Sequence, residues 1–228
     1  QPKPNQPTRN PHAAAVEVPE ELRSFIVHRT GFANYYFNEL HRRRVWNAFR
    51  DFAGDFATAD TTWTLSKGNE LTVTLSNETS TIKSATAAMN LDRDKDLSEQ
   101  LAPQGSGGML TTLHLWRRML VTEPAGFGDV FYLGTAPLPG HEGLFDVLQG
   151  TFDVVETAFY FDRTSGELRA IEMTPDSGVD PCEIHFSDYR DVGPNKLPHK
   201  MKVQHGDETF LDIELEAITL SDSLKPKA

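Results

Sequence analysis

The amino-acid sequence predicts an α+β protein: an antiparallel meander sheet with two or three helices packed on it. Three observations carry this. From Thr61 onward, segment after segment alternates apolar and polar residues with a period of two, the pattern of half-buried antiparallel strands. Two stretches, 32–52 and 107–121, instead carry apolar stripes at helical spacing. Strands and helices do not alternate along the chain, which argues against a parallel nucleotide-binding sheet.

Taken in order, the chain opens on Gln1 with QPKPNQPTRN, which has linker composition. It is expected to be a processed form or an excised piece. Residues 1–18 are expected to be a Pro-rich linker, 19–220 a single domain and 221–228 (SDSLKPKA) a frayed tail. Glu20 to Val27 reads as a short helix entered through Pro19. The strongest helical stripe is Phe32, Tyr36, Leu40, Val45, Phe49 and Phe52, stopped by Gly54. Arg42, Arg43 and Arg44 in this helix read as a solvated face. Trp63 and Leu65, then Leu71, Val73 and Leu75, form a hairpin about Lys67-Gly68-Asn69, and 79–91 adds a third strand. Residues 92–105 are a loop, after which Ser106 caps a helix with the stripe Met109, Leu113, Trp116, Leu120. Further strands follow at Val130–Leu133, Leu144–Gln149, Val154–Phe161 and Leu168–Met173, the last two joined by the turn Asp162–Gly166. Ile184 and Phe186, Met201 and Val203, and Leu211, Ile213, Leu215 and Ala217 mark the inward residues of the last three strands. Asp212, Glu214 and Glu216 point to water. Roughly nine strands result.

Composition narrows function by exclusion. The 228 residues carry 22 basic and 33 acidic side chains, a net charge of −11, which argues against a nucleic-acid partner. The charge is uneven, net positive over 1–50 and strongly negative beyond, with the break at the end of a helix. The single cysteine, Cys182, forbids an internal disulfide and a cysteine-only metal cage. No apolar run reaches the ~20 residues of a membrane-spanning helix.

The chemical motifs are weak. Asp92, Asp94 and Asp96 imitate the start of a calcium loop, but Leu97 and Pro103 stand where glycine and glutamate belong. Gly105-Ser106-Gly107-Gly108 lacks the lysine of a phosphate-binding loop and reads as the start of a helix. The eight histidines show no metal-ligand spacing; His185 and His199 are the two that a shared sheet face would bring together. No context marks a nucleophile. The sequence therefore predicts no catalytic residue, no metal and no cofactor.

The segments FYFDRTSGELRAIEM and EIHFSDYRDVGPNKLPHKMKVQHGDETFLDIELEAITL resemble the last strands of the LolA-like superfamily, the bacterial lipoprotein carriers and their relatives. The positions that carry the likeness are Asp162, Gly166, Asp188, Tyr189, Arg190, Val192, Leu197 and Pro198, the last two as a Leu-Pro turn. This resemblance implies an unclosed (half) β-barrel wrapped around helices, an extracytoplasmic location, and an apolar barrel that holds lipid. Segments LHLWRRML and PAGFGDVFYLGTAPLPG also resemble the region that follows the protease domain in some bacterial trypsin-like serine proteases. The two likenesses imply a non-catalytic accessory module with a peptide, protein or apolar ligand as partner, or else a free carrier of lipid or lipoprotein. The expected apolar interior lining is Ile184, Phe186, Met201, Val203, Ile213 and Leu215. Because the helices offer so many aromatic rings, the barrel is expected to be mostly filled.

Overall fold

The computed structural model describes residues 20–23, 35–56 and 61–222. The expected linker and residues 223–228 lie outside the described residues. Two helices, α2 (Tyr35–Ala53) and α3 (Met109–Phe127), accompany twelve strands; a four-residue helix, α1 (Glu20–Arg23), precedes them. The strands form two antiparallel sheets. The smaller has the order β12-β1-β2-β3-β4, with β1 (Thr61–Lys67), β2 (Leu71–Leu75), β3 (Ser80–Ser84), β4 (Ala88–Leu91) and β12 (Ala217–Asp222). The larger has the order β11-β10-β9-β8-β7-β6-β5. Its strands are β5 (Asp129–Ala136), β6 (Phe145–Phe152), β7 (Val155–Asp162), β8 (Leu168–Thr174), β9 (Cys182–Val192), β10 (Asn195–His205) and β11 (Glu208–Glu214). The fold is α+β, with antiparallel sheets curled about helices and not closed into a barrel.

The sheets meet at a corner. The expected last strand, ending near Ala217, is two strands: β11 pairs with β10, and β12 crosses to pair with β1. Leu215 donates its N–H to His199 O at 2.6 Å and Glu216 donates to Ser66 O at 2.9 Å, stitching the corner. Glu216 therefore lies past the end of β11 and does not share a strand face with Asp212 and Glu214. Ser221 and Asp222, expected in a frayed tail, pair with Thr62 and Thr61. The expected third strand over 79–91 is likewise two, β3 and β4, joined by a turn in which the Ser84 Oγ accepts from Ala87 N–H at 3.2 Å.

Helix α3 packs against strands of both sheets. Its stripe was expected to be one-sided. Instead Leu110, Thr111, Thr112, Leu115 and Arg117 are buried along with Met109, Leu113 and Trp116, so the helix fills the concave side. The threonine hydroxyls bond backwards, Thr111 to Gln100 O and Thr112 to Gly108 O, which satisfies them without a polar neighbour. Ser106, expected as the cap, is not at the cap position: the helix starts at Met109 behind a left-handed Gly108, and the Ser106 Oγ accepts the Met109 N–H at 3.0 Å from the turn before it. The helix runs past 121 to Phe127 with a break at Glu123 (φ 55°), the residue before Pro124.

Helix α2 buries Val45, Trp46, Phe49 and Ala53. Its arginines, expected as a solvated face, divide: Arg43 is exposed, while Arg42 and Arg44 reach the sheet. Arg42 donates to Val130 O at 2.9 Å, Arg43 pairs with Glu39, and Arg44 forms a fork to Asp146 at 2.9 and 2.8 Å. Arg42 and Arg44 thus dock the helix on β5 and β6, a tertiary use invisible to helical periodicity. Phe32, part of the expected stripe, lies outside the described residues.

Candidate functional site

The corner that joins the sheets also parts them. Because β11 belongs to one sheet and β12 to the other, the walls diverge beyond Leu215, and a cleft of about 360 Å³ opens between β11 and the β2–β4 region. Ile82 and Met89 come from β3 and β4, Met109 from the start of α3, and Leu211 and Ile213 from β11. Each has a reason to face the gap. Leu211 and Ile213 are opposite Val203 and Met201, so alternation turns all four to the concave side. Ile82 is opposite Val73 and shares its inward face. The apolar part of the wall outweighs the polar part. Lys67, paired with Glu70 at 3.0 Å, and Asp212 lie at the rim, and Phe210 stands 38% exposed beside it. Such a cleft offers van der Waals contact and exclusion of water to an apolar chain; its volume falls at the small end of the roughly 300–1,000 Å³ range of ligand pockets.

Of the six residues expected to line an apolar interior, Ile213 borders this cleft. Ile184, Phe186, Met201, Val203 and Leu215 are buried in the main core. Phe186 stacks on Trp116 at 5.0 Å, and Trp116 meets Trp63 edge-on at 5.3 Å. Rings from both helices and both sheets occupy the concave side, Phe49 against Phe161 among them. Sequence reading missed Phe210, Ile82, Met89 and Met109 as cleft residues. Only the pairing of distant strands brings them together.

The residues of the expected family-like motif hold hairpins in place. The Asp162 carboxylate accepts the N–H groups of Thr164 and Ser165, both at 2.8 Å, and is held below the ordinary carboxylate range by these bonds. Gly166 (φ +79°) sits against the carbonyl of Ala48 in α2. Asp188 (φ 54°) breaks the alternation of β9, and Arg190 bridges it to Glu214. Tyr189 donates to Leu168 O at 2.6 Å and meets Phe52 edge-on; burial pushes its phenol up. Val192 is half-buried against the core. The expected Leu-Pro turn is not a turn. Leu197 and Pro198 are buried inside β10, and the reversal occurs at Gly193-Pro194. Proline is tolerated there because β10 pairs with β11 only from Lys200 onward, which leaves no ladder bond for Pro198 to withhold on that side.

His185 and His199 do not share a face. His185 is opposite Lys202 on the outer side, while His199 has the parity of Met201 and Val203. His185 instead stacks on His141 at 5.6 Å and lies 3.3 Å from Glu183. Beside it, Glu172 is directly opposite Glu183 and accepts from Tyr160; burial and then the Glu183 charge raise the Glu172 carboxyl. This polar cluster escaped sequence reading because its members come from β7, β8, β9 and the loop after β5. Asp96 caps a short 3₁₀ turn and Asp92 pairs with Lys95, so the acidic loop spends these carboxylates locally.

No family model and no curated protein matches the chain. Among solved structures, the chain is similar to a LolA superfamily protein from Nitrosomonas europaea, at 12% identity and a TM-score of 0.41, over 79% of this chain and 91% of that one.

Proposed function

We propose that this chain is a non-catalytic binding protein that takes an apolar chain, of the kind a lipid or lipidated protein presents, into the seam cleft. The observation that carries the reading is the cleft itself, about 360 Å³ and mainly apolar, open at one side and walled by Ile82, Met89, Met109, Leu211 and Ile213. Two flexible methionines in the wall suit a ligand of variable shape. The chain's C-terminal strands resemble those of lipoprotein carriers, and this supports an extracytoplasmic setting and a carrier role. The contact of Ser80 with His114 in the core does not argue for catalysis, since Ser80 is fully buried.

A second reading, an accessory module acting through its surface, draws on β5. This strand leaves Phe131 and Leu133 exposed as apolar contacts for a partner's side chains; strand addition is not the mode, since Asn38 and Arg42 of α2 already bond the edge backbone of Tyr132 and Val130.

Titration with a fluorescent fatty-acid probe, with native mass spectrometry of the purified chain, tests the first reading. One saturable micromolar site is expected. Ser84→Trp, which places a large ring at an exposed position of the cleft wall, should weaken it by roughly tenfold, or about 1.4 kcal/mol. Absence of saturable binding, or binding indifferent to Ser84→Trp, overturns the acyl-chain reading.

A further inference from the structure

A second, polar cleft of about 530 Å³ lies at the other end of β3 and β4, bordered by the loop Arg93–Leu97, which carries Asp94, Lys95 and Asp96, and by His114, Phe152 and Asp153. His114 is its most buried polar group. The ring comes from the middle of α3, is 5% exposed, and has its Nδ1 2.9 Å from the Oγ of the fully buried Ser80. Among the described residues the Ser80 hydroxyl has no other acceptor. It therefore donates to Nδ1, and the ring proton sits on Nε2, the nitrogen left to the cleft.

Three arginine charges act on the ring. Arg93 lines the cleft, with one nitrogen given to Asn77 O. Arg118 lies behind, its guanidinium 3.9 Å from the centre of the Phe152 ring and bonded to the carbonyls of Phe127 and Gly126. Burial and then the charges of Arg93, Arg117 and Arg118 depress the imidazole to about 4, so it is a neutral donor at physiological pH. The rim is mixed: Lys95 is paired with Asp92, Asp96 is engaged by Ser98, and Asp94 and Asp153 remain as opposing charges.

We propose that this cleft is a second ligand site, separate from the apolar seam, which holds a small molecule by an oxyanion, carboxylate or phosphate, between the His114 Nε2–H and the Arg93 guanidinium. Charge-assisted bonds of this kind are the stronger ones, and Leu97 supplies an apolar contact beside them. Opposing rim charges keep the affinity modest.

Nitrogen-15 NMR of the His114 ring during titration with inorganic phosphate, and separately with sodium acetate, at constant ionic strength, tests this. A saturable millimolar shift of the His114 signals with at least one anion is expected. Response to both assigns an oxyanion site; response to phosphate alone assigns a phosphoryl site. Arg93→Gln, on an exposed loop, should weaken binding by roughly tenfold, the loss of about one charge-assisted bond. A linear, unsaturated drift with either salt, or a response unchanged in Arg93→Gln, overturns the proposal. Because Arg93 does not border the apolar seam, the fatty-acid titration and this one fail independently.

Discussion

At the scale of single residues, burial decides what an ionisable group contributes. His114 is the clearest case. Its folded pKa, about 4, lies below the 6.5 of a free imidazole, chiefly through desolvation. The folded state needs the ring neutral, whereas the unfolded chain takes up its proton near pH 6.5. The contribution is full above that pH and is lost as pH falls toward 4, reaching on the order of 3 kcal/mol there. Urea unfolding at pH 7 and pH 4 checks this: the acid loss should be smaller in His114→Gln by about that amount. An equal loss in both proteins would mean that the ring is protonated without cost. Nothing in the sequence marks His114 among the eight histidines, because its burial is created by the packing of β3 on α3; Arg117 and Arg118 are its neighbours on α3, and Arg93 comes from the loop after β4.

At the scale of elements, helix α2 and the β7–β8 hairpin show how a local signal acquires a tertiary role. Asp162 and Gly166 are legible as a turn, and the turn forms. Its glycine is also required from outside: a Cβ on Gly166 would collide with the Ala48 carbonyl of α2, and its φ of +79° is strained for any other residue. Gly166→Ala is expected to cost about 1–3 kcal/mol, read by equilibrium denaturation. A cost below about 0.5 kcal/mol would show that the hairpin moves off the helix freely. The arginines of α2 teach the converse. Their charge suggested water, yet Arg44 is forked to Asp146, which is nearly fully buried and also accepts from Tyr132 at 2.8 Å. Those bonds hold the Asp146 carboxyl below the ordinary range against the opposing effect of burial, the largest single influence on it.

At the scale of the whole molecule, the aromatic core joins both sheets through α3. Phe186 stacks on Trp116, and Trp116 reaches Trp63 of the other sheet. Removing one ring from this chain leaves a cavity that neither sheet can close alone. Phe186→Ala should therefore cost on the order of 3–5 kcal/mol in chemical denaturation, the range for a fully buried aromatic. A cost under about 1 kcal/mol would contradict the packing described. The seam cleft belongs to this scale as well, since it opens where the chain passes from β11 to β12 and the two sheets separate.

By itself the sequence determined the kinds of element, the inward residues Val73, Leu75, Ile184, Phe186, Met201, Val203, Ile213 and Leu215, though not Ala217, which is exposed, and the turns at Gly68, Gly166 and Gly206. These depend on short periods and on backbone freedom, which neighbours in the chain set. It did not determine that the strand after Gly206 divides at Leu215–Glu216, that α3 from Met109 to Val121 is buried at every position but Arg118, or that Leu197-Pro198 lies within a strand. Each of those depends on which distant strand supplies hydrogen bonds and contacts. The cleft residues Ile82, Met109 and Phe210 were chosen in the same way. They are far apart in sequence, and only the divergence of the two sheets puts them around one space.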